Sequence, residues 1–136
     1  MFGLFFYLGT LCLHGDKEMY RMNKLVECVP NFSEGRRTAA IDKITSAIES
    51  VDRVTLLNVE PGRDTNRTVV TFVGEPQAVT MAAFQAISEA QKQIDMRTHK
   101  GTHPRLGATD VCPIVPLHAV TMETCISLAR ELAARV

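Results

Sequence analysis

An α/β chain of the α+β kind, with a ferredoxin-like split βαβ arrangement, is predicted by three observations. Strand and helix patterns succeed one another as β-α-β-β-α-β, followed by one C-terminal helix. The two middle strands are separated only by a segment dense in turn-forming residues. Each helix carries a single apolar stripe, so a mixed or antiparallel sheet with helices packed on it is the expected outcome.

The elements follow in order. Leu25–Asn31 reads as a short strand, and Ser33 is a candidate helix cap, with Glu34 suited to a helix N-terminus. Ile41, Ile44, Ile48 and Val51 recur at helical spacing, which predicts a helix over about 36–50. Arg53–Val59 is rich in β-branched and apolar residues and forms the second strand. Glu60–Asn66 is the turn, and Arg67–Val73 is the third strand, pairing with the second as a hairpin. Gly74-Glu-Pro76 stops that strand and opens a helix, with Pro76 at a tolerated first position. Val79, Ala82, Ala83, Ala86, Ile87, Ala90 and Ile94 mark its buried face, and the alanines let it lie close to a sheet. Val111–Leu117 is the fourth strand. Its two prolines each remove a ladder donor and place it at an edge or a bulge. Thr121 caps a last helix, Met122 to about Arg135, with Cys125, Leu128 and Leu132 inward.

The bulk properties bound the function. A chain of 136 residues makes one domain with a real core. Lys+Arg and Asp+Glu both total 15, and this balance argues against a nucleic-acid partner, which calls for a basic surplus. The four cysteines show no C-x-x-C pair and no disulfide framework, as expected of a reducing, cytoplasmic compartment. Residues 1–23 read as a poorly ordered apolar extension ahead of a domain spanning 24–136. The run from Phe2 to Leu13 is too short to cross a bilayer as a helix, so no membrane partner is expected. The alternative is secretion or membrane attachment through residues 2–13, although no basic n-region or A-x-A site accompanies them.

Between the second helix and the fourth strand lies Arg97-Thr-His-Lys-Gly-Thr-His-Pro-Arg-Leu-Gly-Ala-Thr-Asp110, a loop crowded with ionisable groups. His99 and His103 stand four apart, but Gly101 and Pro104 oppose a helix and Lys100 sits where a zinc motif has glutamate. No metal is expected. No nucleophile elbow, P-loop or dinucleotide fingerprint is present either. General acid–base work by His103 fits better, because an imidazole exchanges protons near neutrality. Pro104 stiffens the backbone beside it, and Lys100 and Arg105 could hold a carboxylate. The residues alone leave a second reading equally open, a solvated basic loop in which Asp110 pairs with Arg105.

Glu60-Pro-Gly-Arg-Asp-Thr-Asn-Arg67 is the second constellation. Taken residue by residue it is a hairpin turn, with Asp64 and Asn66 making local backbone bonds. Taken with Asn31, which follows the first strand, Glu60 and Asn66 end strands and could project polar atoms into a shared cleft.

Leu25-Val-Glu-Cys-Val-Pro-Asn-Phe-Ser-Glu-Gly35, Thr65-Asn-Arg-Thr-Val69, Thr71-Phe-Val-Gly74, Ile94-Asp-Met96, His99-Lys-Gly-x-His-Pro-Arg-x-Gly-Ala108 and Asp110-Val-Cys-Pro113 closely resemble the N-terminal subdomain of the glutamate formiminotransferase family. That is the transferase half of formiminotransferase-cyclodeaminase. The likeness runs from about Leu25 to the C-terminus. It implies transfer of a formimino group from formiminoglutamate to N5 of tetrahydrofolate, a step in histidine degradation and one-carbon metabolism. The resemblance puts the general acid/base at His103 and makes Asn31, Glu60, Arg67, Lys100 and Arg105 candidates for orienting tetrahydrofolate, the co-substrate, or the glutamate carboxylates. The chain departs from the family at Asn58-Val-Glu60-Pro-Gly62, where Asp-x-Asp-x-Gly is usual, and at Val70, where tyrosine is common. The family's transferase continues into a second subdomain across the folate cleft. The resemblance therefore implies a truncated, stand-alone relative, catalytic only where a homodimer or another partner supplies that half. The alternative is a non-catalytic folate-binding or protein-interaction module.

Overall fold

Burial alternates along the central strand as the sequence does, and this alternation fixes which face of the sheet meets the helices. The computed structural model describes residues 24–136, so the expected extension at 1–23 lies outside the described residues. Its elements are β1 (Leu25–Cys28), β2 (Asn31–Phe32), α1 (Thr38–Glu49), β3 (Val54–Gly62), β4 (Arg67–Gly74), α2 (Pro76–Gln93), β5 (Thr109–Val111), β6 (Ile114–His118) and α3 (Met122–Arg135). Among the described residues no helix is long and apolar enough to cross a membrane.

Two predicted strands are each interrupted once. The first breaks at Val29-Pro30 into β1 and β2, and the fourth breaks at Cys112-Pro113 into β5 and β6. Proline lacks the ladder donor, yet the carbonyls carry on: Val70 N–H donates to Pro30 O at 3.0 Å and Val29 N–H to Pro113 O at 3.2 Å. All pairings are antiparallel. β1 and β2 lie on one side of β4, β3 lies on the other, and β6 and β5 follow outside β1 and β2. With each split pair counted as one strand, the order is that of a split βαβ sheet, and the fourth predicted strand, β5 with β6, is an edge.

The hairpin is longer than predicted. β3 runs on to Gly62, which pairs with Arg67, so the turn shrinks to 63–66. Helix α1 begins at Thr38 rather than Arg36, and Ser33 is not its cap. The Ser33 hydroxyl instead donates to Gly107 O at 2.7 Å, tying the end of β2 to the ionisable loop. Glu34 takes over at the helix start: one carboxylate oxygen accepts from the Arg36 and Arg37 N–H groups at 2.8 and 2.9 Å. Thr121 caps α3 as expected, accepting from Thr124 N–H at 3.2 Å.

The core lies between the three helices and one face of the sheet. Val26, Cys28, Phe32, Val70 and Phe72 come from the strands and Ile44 and Ile48 from α1. Ala82, Ala83, Ala86 and Ala90 of α2 are fully buried, so this helix rests on the sheet through methyl groups. Among the described residues no helix covers the opposite face. Replacing Ala86 by leucine would force three extra carbons into that contact. We expect Ala86→Leu to cost about 1–3 kcal/mol of unfolding free energy, read as a lowered denaturant midpoint at unchanged slope. An unchanged midpoint would show that α2 stands off the sheet.

Candidate functional site

The site is assembled where β2 ends and β4 begins. Residues directly opposed on antiparallel strands share a face. Val69 opposes both Glu60 and Asn31, so these two polar residues lie together on the helix-free face. Arg67, two residues before Val69, belongs to the same face. The loop from 97 to 110 runs along this end of the sheet.

Asn66 holds the loop in place. It is buried and adopts the left-handed region with φ 49°, a conformation asparagine tolerates better than most residues. Its Oδ1 accepts from Gly35 N–H at 2.9 Å, and its Nδ2 donates to Lys100 O at 3.0 Å. Its backbone carbonyl accepts from His99 Nε2 at 2.9 Å. One residue thus joins the segment ahead of α1, the hairpin turn and the loop. The bonds are long-range, so the expectation of local backbone bonding at Asn66 is overturned. Glycines make the approach feasible. A Cβ at Gly35 would run into Gly62 O, and one at Gly101 would run into Thr65 O. Thr102 N–H completes the seam, donating to Asp64 O at 3.2 Å.

His103 contacts Arg67 directly. An Arg67 Nη lies 2.8 Å from His103 Nε2, and His103 Nδ1 lies 2.5 Å from Pro104 O. A guanidinium only donates and a carbonyl only accepts, which fixes the proton on Nδ1 and the lone pair on Nε2. The imidazole is neutral in this arrangement, with its basic nitrogen occupied by a cation. The Arg67 Nε is buried and has no hydrogen-bond partner among the described residues.

The other cations are used differently. Arg105 donates to Gly101 O, His103 O and His99 O, each at 2.9 Å, so its guanidinium closes the loop on itself. Asp110 does not pair with it. The Asp110 carboxylate accepts from Leu106 N–H at 2.8 Å, which corrects the solvated-loop reading of an Arg105–Asp110 pair. Lys100 is exposed, and its carbonyl is the part that enters the clamp. Asn31 Nδ2 donates to Val29 O at 3.0 Å, while exposed Glu60 accepts from Asn58 Nδ2 at 2.7 Å. The structure therefore brings Arg67 and His103 into contact, places Asn31 and Glu60 on the same face, and turns Asn66 and Arg105 into scaffold.

Sequence reasoning missed Glu34, Ser33 and His99 as parts of this scaffold. Glu34 is buried and accepts a salt bridge from Arg37 Nε at 2.5 Å. Burial pushes its carboxyl pKa up, but donation from the Arg37 and Arg36 amides and the Arg37 guanidinium outweighs this and holds it below the ordinary 4.5. Thr68 donates its hydroxyl to Glu34 O. His99 Nδ1 is buried with no partner among the described residues, and no sequence signal distinguishes it from the neighbouring exposed loop residues. A cavity of about 250 Å³ opens beside the clamp, lined by Glu34, Arg36, Arg37, Asn66, Asp95 and His99 among others. Among the described residues no group of three or more His, Cys, Asp or Glu side chains stands where it could hold a metal.

An antiparallel α+β domain of split βαβ form, carrying a histidine loop clamped to the end of its sheet, is the class these observations define. Residues 25–136 match the family described as "Formiminotransferase domain, N-terminal subdomain", and the chain belongs to that family. It is 55% identical over 115 residues to a formimidoyltransferase-cyclodeaminase of Dictyostelium discoideum, covering 85% of this chain and 21% of that protein. It is 45% identical over 115 residues to a glutamate formimidoyltransferase of Streptococcus pyogenes serotype M1, covering 85% of this chain and 38% of the relative. A glutamate formimidoyltransferase of Thermoplasma acidophilum is 53% identical over 112 residues, covering 82% of this chain and 37% of that protein. The chain thus spans between about a fifth and two fifths of the length of these relatives.

Two outcomes test the scaffold. Asn66→Ala removes two buried bonds and the tolerance for positive φ, and is expected to cost about 2–4 kcal/mol in chemical denaturation. Asn66→Gly relieves the φ strain only, so it should recover about 1 kcal/mol of that loss. Equal stability of the two variants would show that the backbone conformation at position 66 contributes nothing. The second outcome concerns acid. A carboxyl whose folded pKa is depressed contributes stability that is present above its unfolded value of about 4.5 and is lost as pH falls through the folded value. Glu34→Gln should lower stability at neutral pH and flatten its acid limb below about pH 4.5. An acid limb as steep as that of the wild type would remove Glu34 from that role.

Proposed function

We propose that this chain supplies the acid/base half of a formimino-transfer site, with His103 as the proton carrier and Arg67 as the group that holds its basic nitrogen until ligand binds. The reading rests on one contact, Arg67 Nη to His103 Nε2 at 2.8 Å on the helix-free face. Membership of the formiminotransferase family supports it. The acceptor is tetrahydrofolate and the donor formiminoglutamate, both carrying carboxylates that a guanidinium can bind in a two-pronged way.

The chemistry follows from what the imidazole must do. N5 of tetrahydrofolate attacks the formimino carbon and loses a proton as the tetrahedral intermediate forms. The C–N bond to glutamate then breaks, and the departing nitrogen gains a proton. His103 Nε2 takes the first proton and delivers the second, so one residue is base and then acid. Its Nδ1–H, anchored on Pro104 O, fixes the ring orientation in both steps. Nε2 can accept a proton only after Arg67 leaves it, and a substrate carboxylate offers Arg67 its alternative partner. Glu60 and Asn31, on the same face, orient the ligand.

The test is an assay of formiminoglutamate-dependent turnover with tetrahydrofolate, run beside a tetrahydrofolate binding titration. His103→Ala should lower turnover by about 10²- to 10⁴-fold with binding retained. Arg67→Ala should weaken substrate binding, raising KM more than it lowers kcat, because it frees Nε2 while removing the carboxylate partner. Turnover that survives His103→Ala would take the imidazole out of the role. Saturable tetrahydrofolate binding with no turnover by the wild-type chain would favour a ligand-binding module instead, a reading that the occupied Nε2 also accommodates.

A further inference from the structure

Cys28 and Cys112 are far apart in sequence and adjacent in space, and the acid/base site makes no use of them. Their sulfurs lie 3.6 Å apart, across the boundary between the β1/β2 strand and the β5/β6 strand. Both thiols are free. Cys28 is fully buried, whereas Cys112 is half-buried and lines a cavity of about 440 Å³ between α2, α3 and β5, together with Ile87, Val111, Ala129 and Leu132. Cys112 lines that cavity and Cys28 does not.

We propose that Cys112 and Cys28 form a thiol-exchange site, with Cys112 as the attacking cysteine, Cys28 as the resolving one and a small-molecule disulfide as oxidant. Two features support the division of labour. The contact with Cys112, followed by burial, pushes the Cys28 thiol up, and the same contact draws the Cys112 thiol down against the opposing effect of burial. The cavity also has Cys112, and not Cys28, in its wall.

The step balances as follows. The Cys112 thiolate attacks one sulfur of a disulfide RSSR, whose S–S bond breaks, and RS⁻ leaves and takes up a proton. Cys28 attacks Cys112 Sγ, and its proton passes to the second RS⁻, which departs as RSH. Two protein thiols are oxidised by two electrons, and one RSSR is reduced to two RSH. The sulfurs must close from 3.6 Å to about 2.05 Å. Closure bears on the loop, because Cys112 is two residues from Asp110, whose carboxylate holds Leu106 N–H.

The probe is oxidised glutathione, applied to the full chain, with intact mass and non-reducing peptide mapping as readouts. The expected result is loss of two hydrogens in a peptide joining Cys28 to Cys112, reversed by a reductant. Cys28→Ala should instead accumulate one glutathione on Cys112, and Cys112→Ala should leave Cys28 unmodified. A wild-type chain that maps without the linked peptide would overturn the proposal, as would a wild type that stops at glutathionylated Cys112. Modification of Cys28 in the Cys112→Ala variant would overturn the assigned order of attack.

Discussion

The structure of the site depends on a buried side-chain amide satisfied at both ends. Asn66 offers one acceptor and one donor to two backbone groups that have no helix or sheet partner, Gly35 N–H and Lys100 O. A buried polar group left unpaired is costly, so each of these three partners constrains the other two. The constraint propagates. Gly35 and Gly101 must lack side chains because the clamp draws them onto the hairpin backbone. Arg67 follows Asn66 directly, so fixing the turn also aims the guanidinium at His103. The clamp and the Arg67–His103 contact are therefore set by two adjacent residues where the turn enters β4.

The abundance of cations in the loop has a mixed origin. Arg105 is consumed by three carbonyls of a loop with little regular structure, where backbone acceptors would otherwise go unmet. Arg37 is consumed by Glu34 and by Gln93 O at 2.7 Å. Arg97 is held by Asp95, whose carboxyl is drawn down to about 2 by donation from the Arg97 side chain and amide. Among the described residues Arg67 is the cation in contact with His103. Most of the charge gathered here is therefore structural, and the proposed function draws on the Arg67–His103 contact.

The fold was legible because periodicity is a local signal. Ile41, Ile44 and Ile48 mark α1, and the alternation through Thr68, Val70 and Phe72 marks β4, and both patterns reappear as burial. The prolines predicted an edge for the last strand, and β5 and β6 lie there. Pro30 lacks a ladder donor in the same way, and the first strand is broken beside it. Boundaries failed where two residues compete for one role. Ser33 and Glu34 could each cap α1, and a contact with Gly107, 74 positions away, decides it. The Asn66 bonds to positions 35 and 100 span 31 and 34 residues, and the Arg67–His103 contact spans 36. No spacing rule reaches that far. Residue chemistry named several of the participants, and tertiary structure decided which were framework.

The two faces of the sheet explain where ligand chemistry can take place. The helix side is largely filled by fully buried side chains, and the cavity it keeps between α2, α3 and β5 is not lined by His103 or Arg67. The opposite face carries Asn31, Glu60 and Arg67 in adjoining positions and meets the His103 loop at its end. An imidazole whose lone pair faces a guanidinium is not yet a base. Freeing it means moving a positive charge, and only a group that binds the guanidinium at least as well can do so without large cost. A neutral ligand offers Arg67 no such exchange, whereas a carboxylate does. On the proposed reading, the contact that silences His103 in the unliganded chain also selects for an anionic substrate, and recognition and activation become a single event at Arg67.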